Sequence, residues 1–206
     1  MSEPQPTTPV PEQVLDAATR LFAAHGYEGT SLSAIAEEVG IRKPSLLYHY
    51  PSKEELREAV LGRLFSHWTE VLPRILQAAT TGSSRFEGLV GEVVGFFVAD
   101  VDRARLLLRE MLDRPVELQR QMDGYLAPWL TIIRDYIRTG QESGVVRADV
   151  DPDSYIVHVI QMIVGGIATS NVIAVSHPDD DRADLERHVA EIVRIARSSL
   201  FIDTEP

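Results

Sequence analysis

Apolar residues recur at helical spacing along almost the whole chain, and no window alternates in the two-residue rhythm of a half-buried strand. Val14, Ala18, Leu21 and Phe22 fall at i, i+4, i+7 and i+8 on one helix face, behind Pro11, which suits a first helical turn. Gly26 closes that helix. Thr30 and Ser31 offer an N-cap to a short second helix with Leu32, Ile35, Ala36 and Val39 on one side, and Gly40 stops it. Pro44 starts a third short helix that ends near Tyr50, because the residue before Pro51 resists the α conformation. Ser52 then caps a long fourth helix with Glu54 and Glu55 in its first turn, where the helix dipole favours carboxylates.

The same reading continues to the C-terminus. Thr80 to Ser84 is a Gly/Ser/Thr loop, and Arg85 to Ala99 and Arg103 to Leu112 are a helix pair broken at Asp100 to Asp102. Arg114–Pro115 opens a long helix that ends near Gly144, and Asp151–Pro152 opens another. A last helix runs from about Asp184, with Leu185, Val189, Ile192 and Ala196 in phase. The expected fold is therefore all-α with about nine helices: a tail at 1–10 read as disordered, a three-helix unit at 11–53, and a larger helical unit at 54–206.

Several function classes drop out. With no cysteine, disulfides, thiolate metal sites and cysteine nucleophiles are excluded. The six histidines, His25, His49, His67, His158, His177 and His188, form no metal-ligand spacing with carboxylates, and no phosphate loop or nucleophile elbow appears. Neither enzyme activity nor a metal nor a cofactor is expected. Met1 to Pro11 lacks the basic start and apolar stretch of a secretion signal, so the cytoplasm is the expected location. The longest apolar segment, Tyr155 to Val175, carries His158, Gln161, Thr169, Ser170 and Asn171, which fits a buried helix and no membrane partner.

A formal charge of −11 argues at first against nucleic acid, because Lys and Arg neutralising phosphates drive such binding. Charges beyond ~8 Å are screened, however, so the sign of the contacting surface decides. Two short helices joined by a glycine turn, the second led by Arg42, Lys43, Pro44 and Ser45, have the layout of a helix-turn-helix. In that motif the leading residues of the second helix reach base edges in the major groove. Tyr48 and His49 follow, able to donate to phosphates. Pattern alone fits equally a plain turn between two packing helices.

The run from Thr30 to Ile41, TSLSAIAEEVGI, and that from Lys43 to Leu56, KPSLLYHYPSKEEL, closely resemble the DNA-binding segment of tetracycline-repressor (TetR) type regulators, as do Ala17-Ala18, Leu21-Phe22 and Gly26-Tyr27. The resemblance implies a homodimeric transcriptional repressor that holds double-stranded operator DNA. By it, Lys43, Pro44 and Ser45 occupy base-reading positions, with Arg42 just ahead of them. Tyr48, His49 and Lys53 occupy phosphate-contact positions, and Ser31 and Ser33 meet the DNA backbone. Leu47 stands where the family usually has a DNA-contacting tyrosine, and either touches a thymine methyl or packs.

The resemblance also makes 54–206 a ligand-binding and dimerisation domain. Gly165 and Gly166, which permit close backbone approach, and the stripe Leu185, Val189, Ile192 and Ala196 are the candidate dimer interface; packing within one chain is the alternative. Phe96, Phe97, Met111, Met122, Tyr125, Trp129 and Met162 are candidates for the wall of an effector pocket, although each such residue taken alone is more often plain core. Their lack of charge points to a small, mainly apolar effector whose binding releases the operator.

Overall fold

The computed structural model describes residues 9–78, 82–170 and 181–202. Nine helices are described: α1 (Val10–Gly29), α2 (Leu32–Val39), α3 (Lys43–His49), α4 (Lys53–Ala78), α5 (Gly82–Val98), α6 (Val101–Asp113), α7 (Pro115–Glu142), α8 (Pro152–Ala168) and α9 (Asp181–Leu200). Among the described residues the sole β feature is an isolated bridge between Val146 and Phe201. No described helix is long and apolar enough to cross a membrane.

The first three helices form a head whose joints are set by named residues. Gly26 has φ +73°, a left-handed conformation that other residues enter at a cost, and it breaks the helical path at the end of α1. The buried Thr30 hydroxyl bonds back to the Gly26 carbonyl at 2.8 Å, fixing that bend. Ser31 caps α2 by accepting from the Ala34 amide at 3.1 Å. Gly40, at φ +75°, ends α2 with Ile41 N–H on the Ala36 carbonyl at 2.9 Å, and the tight turn points the chain into α3. Val14, Ala17, Ala18, Phe22, Ile35 and Leu46 are buried together beneath these helices.

α4 leaves the head and enters the body, where α7 and α5 pack on it, α6 and α8 pack on each other and on α5 and α7, and α9 lies on α8 and α5. α6 packs on α1 as well as on α8, so the head is seated on the body and not merely tethered to it. The C-terminal end is pinned by Arg147 N–H on the Leu200 carbonyl at 3.0 Å and Ile202 N–H on the Val145 carbonyl at 3.1 Å.

The boundaries differ from the sequence reading at four places. Residues 1–8 of the expected tail lie outside the described residues, but Val10 is already helical, with the Pro9 carbonyl accepting from Glu12 N–H at 3.0 Å. Of the expected loop Thr80 to Ser84, residues 80 and 81 lie outside the described residues, and α5 begins at Gly82. The break at Asp100 to Asp102 shrinks to a single cap, since the Asp100 carboxylate accepts from Asp102 N–H at 3.1 Å and lets α6 start at once. α9 starts at Asp181, three residues before the expected Asp184.

Candidate nucleic-acid interface and ligand cavity

α3 is a short rod with one inner face. Leu46 is fully buried and anchors it, while Arg42, Lys43, Pro44, Ser45, Tyr48 and His49 are all exposed. Tyr48 is 84 % exposed, and its ring meets that of His49 edge-on at 5.2 Å. No ion pair among the described residues engages Arg42 or Lys43. The helix thus presents two free cations, a small hydroxyl and a phenol from one end to the other, on a rod narrow enough for a major groove. Leu47 is half-buried at the edge of the anchor.

Ser31 and Ser33 are exposed at the start of α2, on the same head, with the Ser31 oxygen already occupied as the cap. Lys53 is turned elsewhere. Its ammonium lies 4.2 Å from the centre of the Tyr27 ring, a cation–π contact.

The body holds a partly open apolar cavity of about 160 Å³. Its wall is built from Leu64, Phe65, Trp68 and Leu72 of α4, Phe86, Leu89, Val90, Val93 and Phe97 of α5, and Leu107 and Met111 of α6. It is completed by α7 from Met122 to Ile137, α8 from Tyr155 to Ile163, and Leu200 of α9. Of the residues expected there, Phe97, Met111, Met122 and Trp129 are in the wall. Phe96, Tyr125 and Met162 are not, because they fall out of phase with the inward stripes. Phe96 stacks on His67 at 4.4 Å under the Arg103 guanidinium; Tyr125 faces Gly62 and Phe65; Met162 packs beside the buried core.

The wall offers almost nothing to a polar ligand. The Tyr155 hydroxyl donates to the Ala196 carbonyl at 2.7 Å, and burial pushes its phenol well above the ordinary range. Tyr136 is likewise pushed up by burial, against the pull of Arg85 standing 5.4 Å over its ring. Neutral hydroxyls, indoles and thioethers are the only heteroatoms, so a charged group placed inside would lose its hydration with no return.

The expected dimer stripe needs correcting. Ile192 and Ala196 are buried within the chain, and Gly166 meets α9 so closely that a Cβ there would sit 2.7 Å from both Ile192 Cδ1 and His188 Nε2. Gly166 and Ile192 thus meet where α8 packs on α9 inside one chain, with the ends of the Ile192 and His188 side chains over the glycine. Val189 is half-buried on the same core, and Leu185 is half-buried nearby. Gly165 points the other way, with nothing within 4 Å of a Cβ, and Val157 and Ile195 are exposed on the outer faces of α8 and α9.

A charged joint between head and body was not anticipated. Arg57 is 1 % exposed and Glu110 is 4 % exposed. Arg57 gives Nε to Glu110 at 2.9 Å, Nη2 to the same carboxylate, and Nη1 to Glu54 at 3.0 Å. Burial opposes the charge on Arg57, and the bonds to Glu110 and Glu54 outweigh it and hold the guanidinium above its ordinary range. Arg114 bonds Glu54 at 3.1 Å and lies 4.5 Å over Tyr27, whose phenol is pushed up first by burial and then by Glu54. Arg109 donates to the Ala23 and Ala24 carbonyls of α1 at 2.7 and 2.9 Å. One signal was in the sequence: Arg57 is in phase with Leu61, Leu64, Trp68 and Leu72, a charge set in an apolar stripe.

Known proteins resemble the chain over both units. A family described as bacterial regulatory proteins, tetR family, matches residues 14–60, and the YsiA-like protein C-terminal region matches residues 61–196. Over 63 residues the chain is 38% identical to the negative transcriptional regulator IcaR of the biofilm operon icaADBC of Staphylococcus epidermidis, a stretch covering 31% of this chain and 34% of that protein. Over 164 residues it is 27% identical to the HTH-type transcriptional regulator LmrA of Bacillus subtilis, covering 77% of this chain and 85% of the relative. The transcriptional regulator FadR of Bacillus subtilis, solved in complex with stearoyl-CoA, shares the fold with a TM-score of 0.66 at 20% identity, over 91% of this chain and 98% of FadR.

Proposed function

Because the chain belongs to the tetR family of bacterial regulatory proteins, we propose that it is a homodimeric repressor that reads a near-palindromic operator through α3 and leaves it when a mainly apolar effector fills the cavity. The observation that carries this reading is the outer face of α3, where Arg42, Lys43, Ser45 and Tyr48 stand exposed and unclaimed around a single buried anchor, Leu46. A DNA-binding regulator, with no catalytic role, is the coarse function common to the family.

In the proposed complex Lys43, Pro44 and Ser45 face base edges, and Arg42, Tyr48, His49 and Lys53 face phosphates, with Ser31 and Ser33 beside the backbone. Lys43 and Ser45 have the donors that guanine and adenine edges accept, which gives the helix a means of choosing sequence. Two copies are needed because one short helix reads too few bases, and a two-fold dimer matches a two-fold operator. The outer faces of α8 and α9, around Val157, Gly165 and Ile195, are the surface proposed for pairing.

The effector class follows from the wall, and the FadR complex with stearoyl-CoA is a precedent for an acyl chain in this fold. At about 160 Å³ the empty cavity is smaller than the ~300–1,000 Å³ of ordinary ligand sites. A larger ligand enters by displacing wall side chains such as Met111 and Met122, which are the most adaptable. That displacement is how occupancy becomes helix movement, and a ligand acts only through its preference for the displaced state.

Electrophoretic retardation of the DNA upstream of the gene tests the reading. The wild-type chain is expected to retard that fragment, stearoyl-CoA to reverse the retardation, and a Lys43→Ala/Tyr48→Ala variant to retard it poorly. Equal retardation by wild type and variant would overturn the assignment of α3. Release only by highly charged metabolites that carry no long apolar chain would overturn the effector class.

A further inference from the structure

Tyr27 stands where the head meets the body, with Lys53 Nζ at 4.2 Å and Arg114 Cζ at 4.5 Å from the centre of its ring. Lys53 opens α4, and Arg114 joins α6 to α7. Arg114 also bonds Glu54 at 3.1 Å, and Glu54 accepts from Arg57, which is buried against Glu110. Glu110 lies on α6 between Leu107 and Met111, both in the cavity wall. A set of side-chain contacts therefore runs from the first residue of α4 to Glu110, the chain neighbour of the wall residue Met111.

An aromatic face holds a cation through its quadrupole, and the attraction fades beyond ~6 Å. A phosphate is a stronger partner, because it pairs charge with charge and accepts a hydrogen bond. The same ammonium thus has two possible partners of unequal strength, one within the protein and one on DNA.

We infer that Tyr27 is a clasp for Lys53, holding the ammonium while the head is free and yielding it to a DNA phosphate on binding, so that the Tyr27–Arg114 seam and the cavity wall behind it respond to DNA. The inference rests on the proposed role of Lys53 as a phosphate contact. Tyr27 is a positioning residue in this scheme and touches neither DNA nor effector. By linkage, whatever the wall does to the seam changes the release of Lys53 to the same extent.

The chain carries its own reporter. Its two tryptophans, Trp68 and Trp129, both line the cavity, so their emission follows the wall with no effector present. Full-length protein is titrated with a labelled random-sequence duplex at low ionic strength, where phosphate contacts dominate binding, while DNA anisotropy and tryptophan emission are read together. In the wild type both signals are expected to follow one isotherm. Arg114→Gln leaves Lys53 and its partners on DNA in place and should bind the duplex within about twofold of wild type, yet show no change in emission; Arg114→Lys, which keeps a cation over the ring, should restore it. Tyr27→Leu should bind the duplex about two- to fivefold more tightly, the equivalent of one exposed cation–π contact no longer broken, and the gain should vanish in a Lys53→Met background.

Emission that stays flat while wild-type protein binds DNA would overturn the clasp and leave the DNA-binding assignment intact. So would a full emission response in Arg114→Gln, or a Tyr27→Leu gain that survives without Lys53. Thermal unfolding identifies any variant that fails to fold, and Arg114→Gln, which changes no residue of the head, carries the test if Tyr27→Leu does fail. Failure of the wild type to bind any duplex would overturn both the regulator reading and the clasp.

Discussion

Glu110→Ala removes the acceptor of two of the three bonds that Arg57 donates, and strands a guanidinium that is 1 % exposed. Breaking a buried pair by deleting one partner costs ~3–5 kcal/mol, because the remaining charge keeps its desolvation penalty and loses its compensation. Glu54 stays in reach at 3.0 Å and is partly solvated, so the lower end applies, about 3 kcal/mol. In a chain of this length each kcal/mol moves the midpoint by ~2–4 °C, giving a fall of roughly 6–12 °C. Thermal unfolding followed by circular dichroism measures this, at one fixed protomer concentration because a dimer's midpoint depends on it. The paired replacement Arg57→Met/Glu110→Leu removes both charges and should recover most of the loss. A fall below about 3 °C for Glu110→Ala would refute the claim that Glu110 is what allows Arg57 to be buried.

Other outcomes follow from single contacts. The Tyr155 phenol is raised in the folded chain, so the unfolded chain ionises first as pH climbs past about 10. Stability is thus intact below that value and falls above it by up to ~1.4 kcal/mol per pH unit for this one group; Tyr155→Phe should flatten the alkaline limb of a urea-midpoint profile. Gly166→Ala places a methyl 2.7 Å from the ends of the Ile192 and His188 side chains, which can swing aside while the helix gains from alanine, so urea unfolding should change by less than ~1 kcal/mol. Gly165→Leu has open space in the monomer and should leave its fold intact; sedimentation should show half the wild-type mass if the outer face of α8 pairs with a second copy. If Arg42, Lys43 and Lys53 of two subunits neutralise six phosphates, log affinity against log salt should have a slope of roughly −5, and a slope steeper than about −9 would reveal a basic surface outside α3 and α4.

The helices were legible because their signals are local. Gly40 and Pro51 end helices for reasons of backbone geometry, each where the sequence placed it, and Gly26 kinks α1 three residues before its end. The exposed row on α3 was legible too, since Leu46 is the one position of that segment whose burial the head requires. What escaped depends on which face of a helix meets which neighbour. Phe96 and Phe97 are adjacent and chemically alike, yet only Phe97 lies in the cavity wall, because one residue turns a helix by about 100°. Ile192 and Ala196 form an apolar stripe that suits a partner chain or the chain's own α8 equally well, and both are buried in the single chain, Ile192 over Gly166 and Ala196 beside the Tyr155 hydroxyl of α8. The Arg57–Glu110 pair spans 53 positions, a separation at which periodicity carries no information. Lys53 matches a phosphate contact by sequence, and its place over Tyr27 required the fold to bring the end of α1 beside the start of α4.

The central claim is that the outer face of α3 reads bases. Fluorescence anisotropy on an operator duplex and on a scrambled duplex of equal length, for wild type and for Lys43→Ala, tests it most directly. Loss of a base contact in each half-site should weaken operator binding by ~1–3 kcal/mol per site while binding to the scrambled duplex weakens far less, so the ratio of the two affinities collapses. An unchanged ratio, with both affinities falling together, would make Lys43 a phosphate contact and contradict the account.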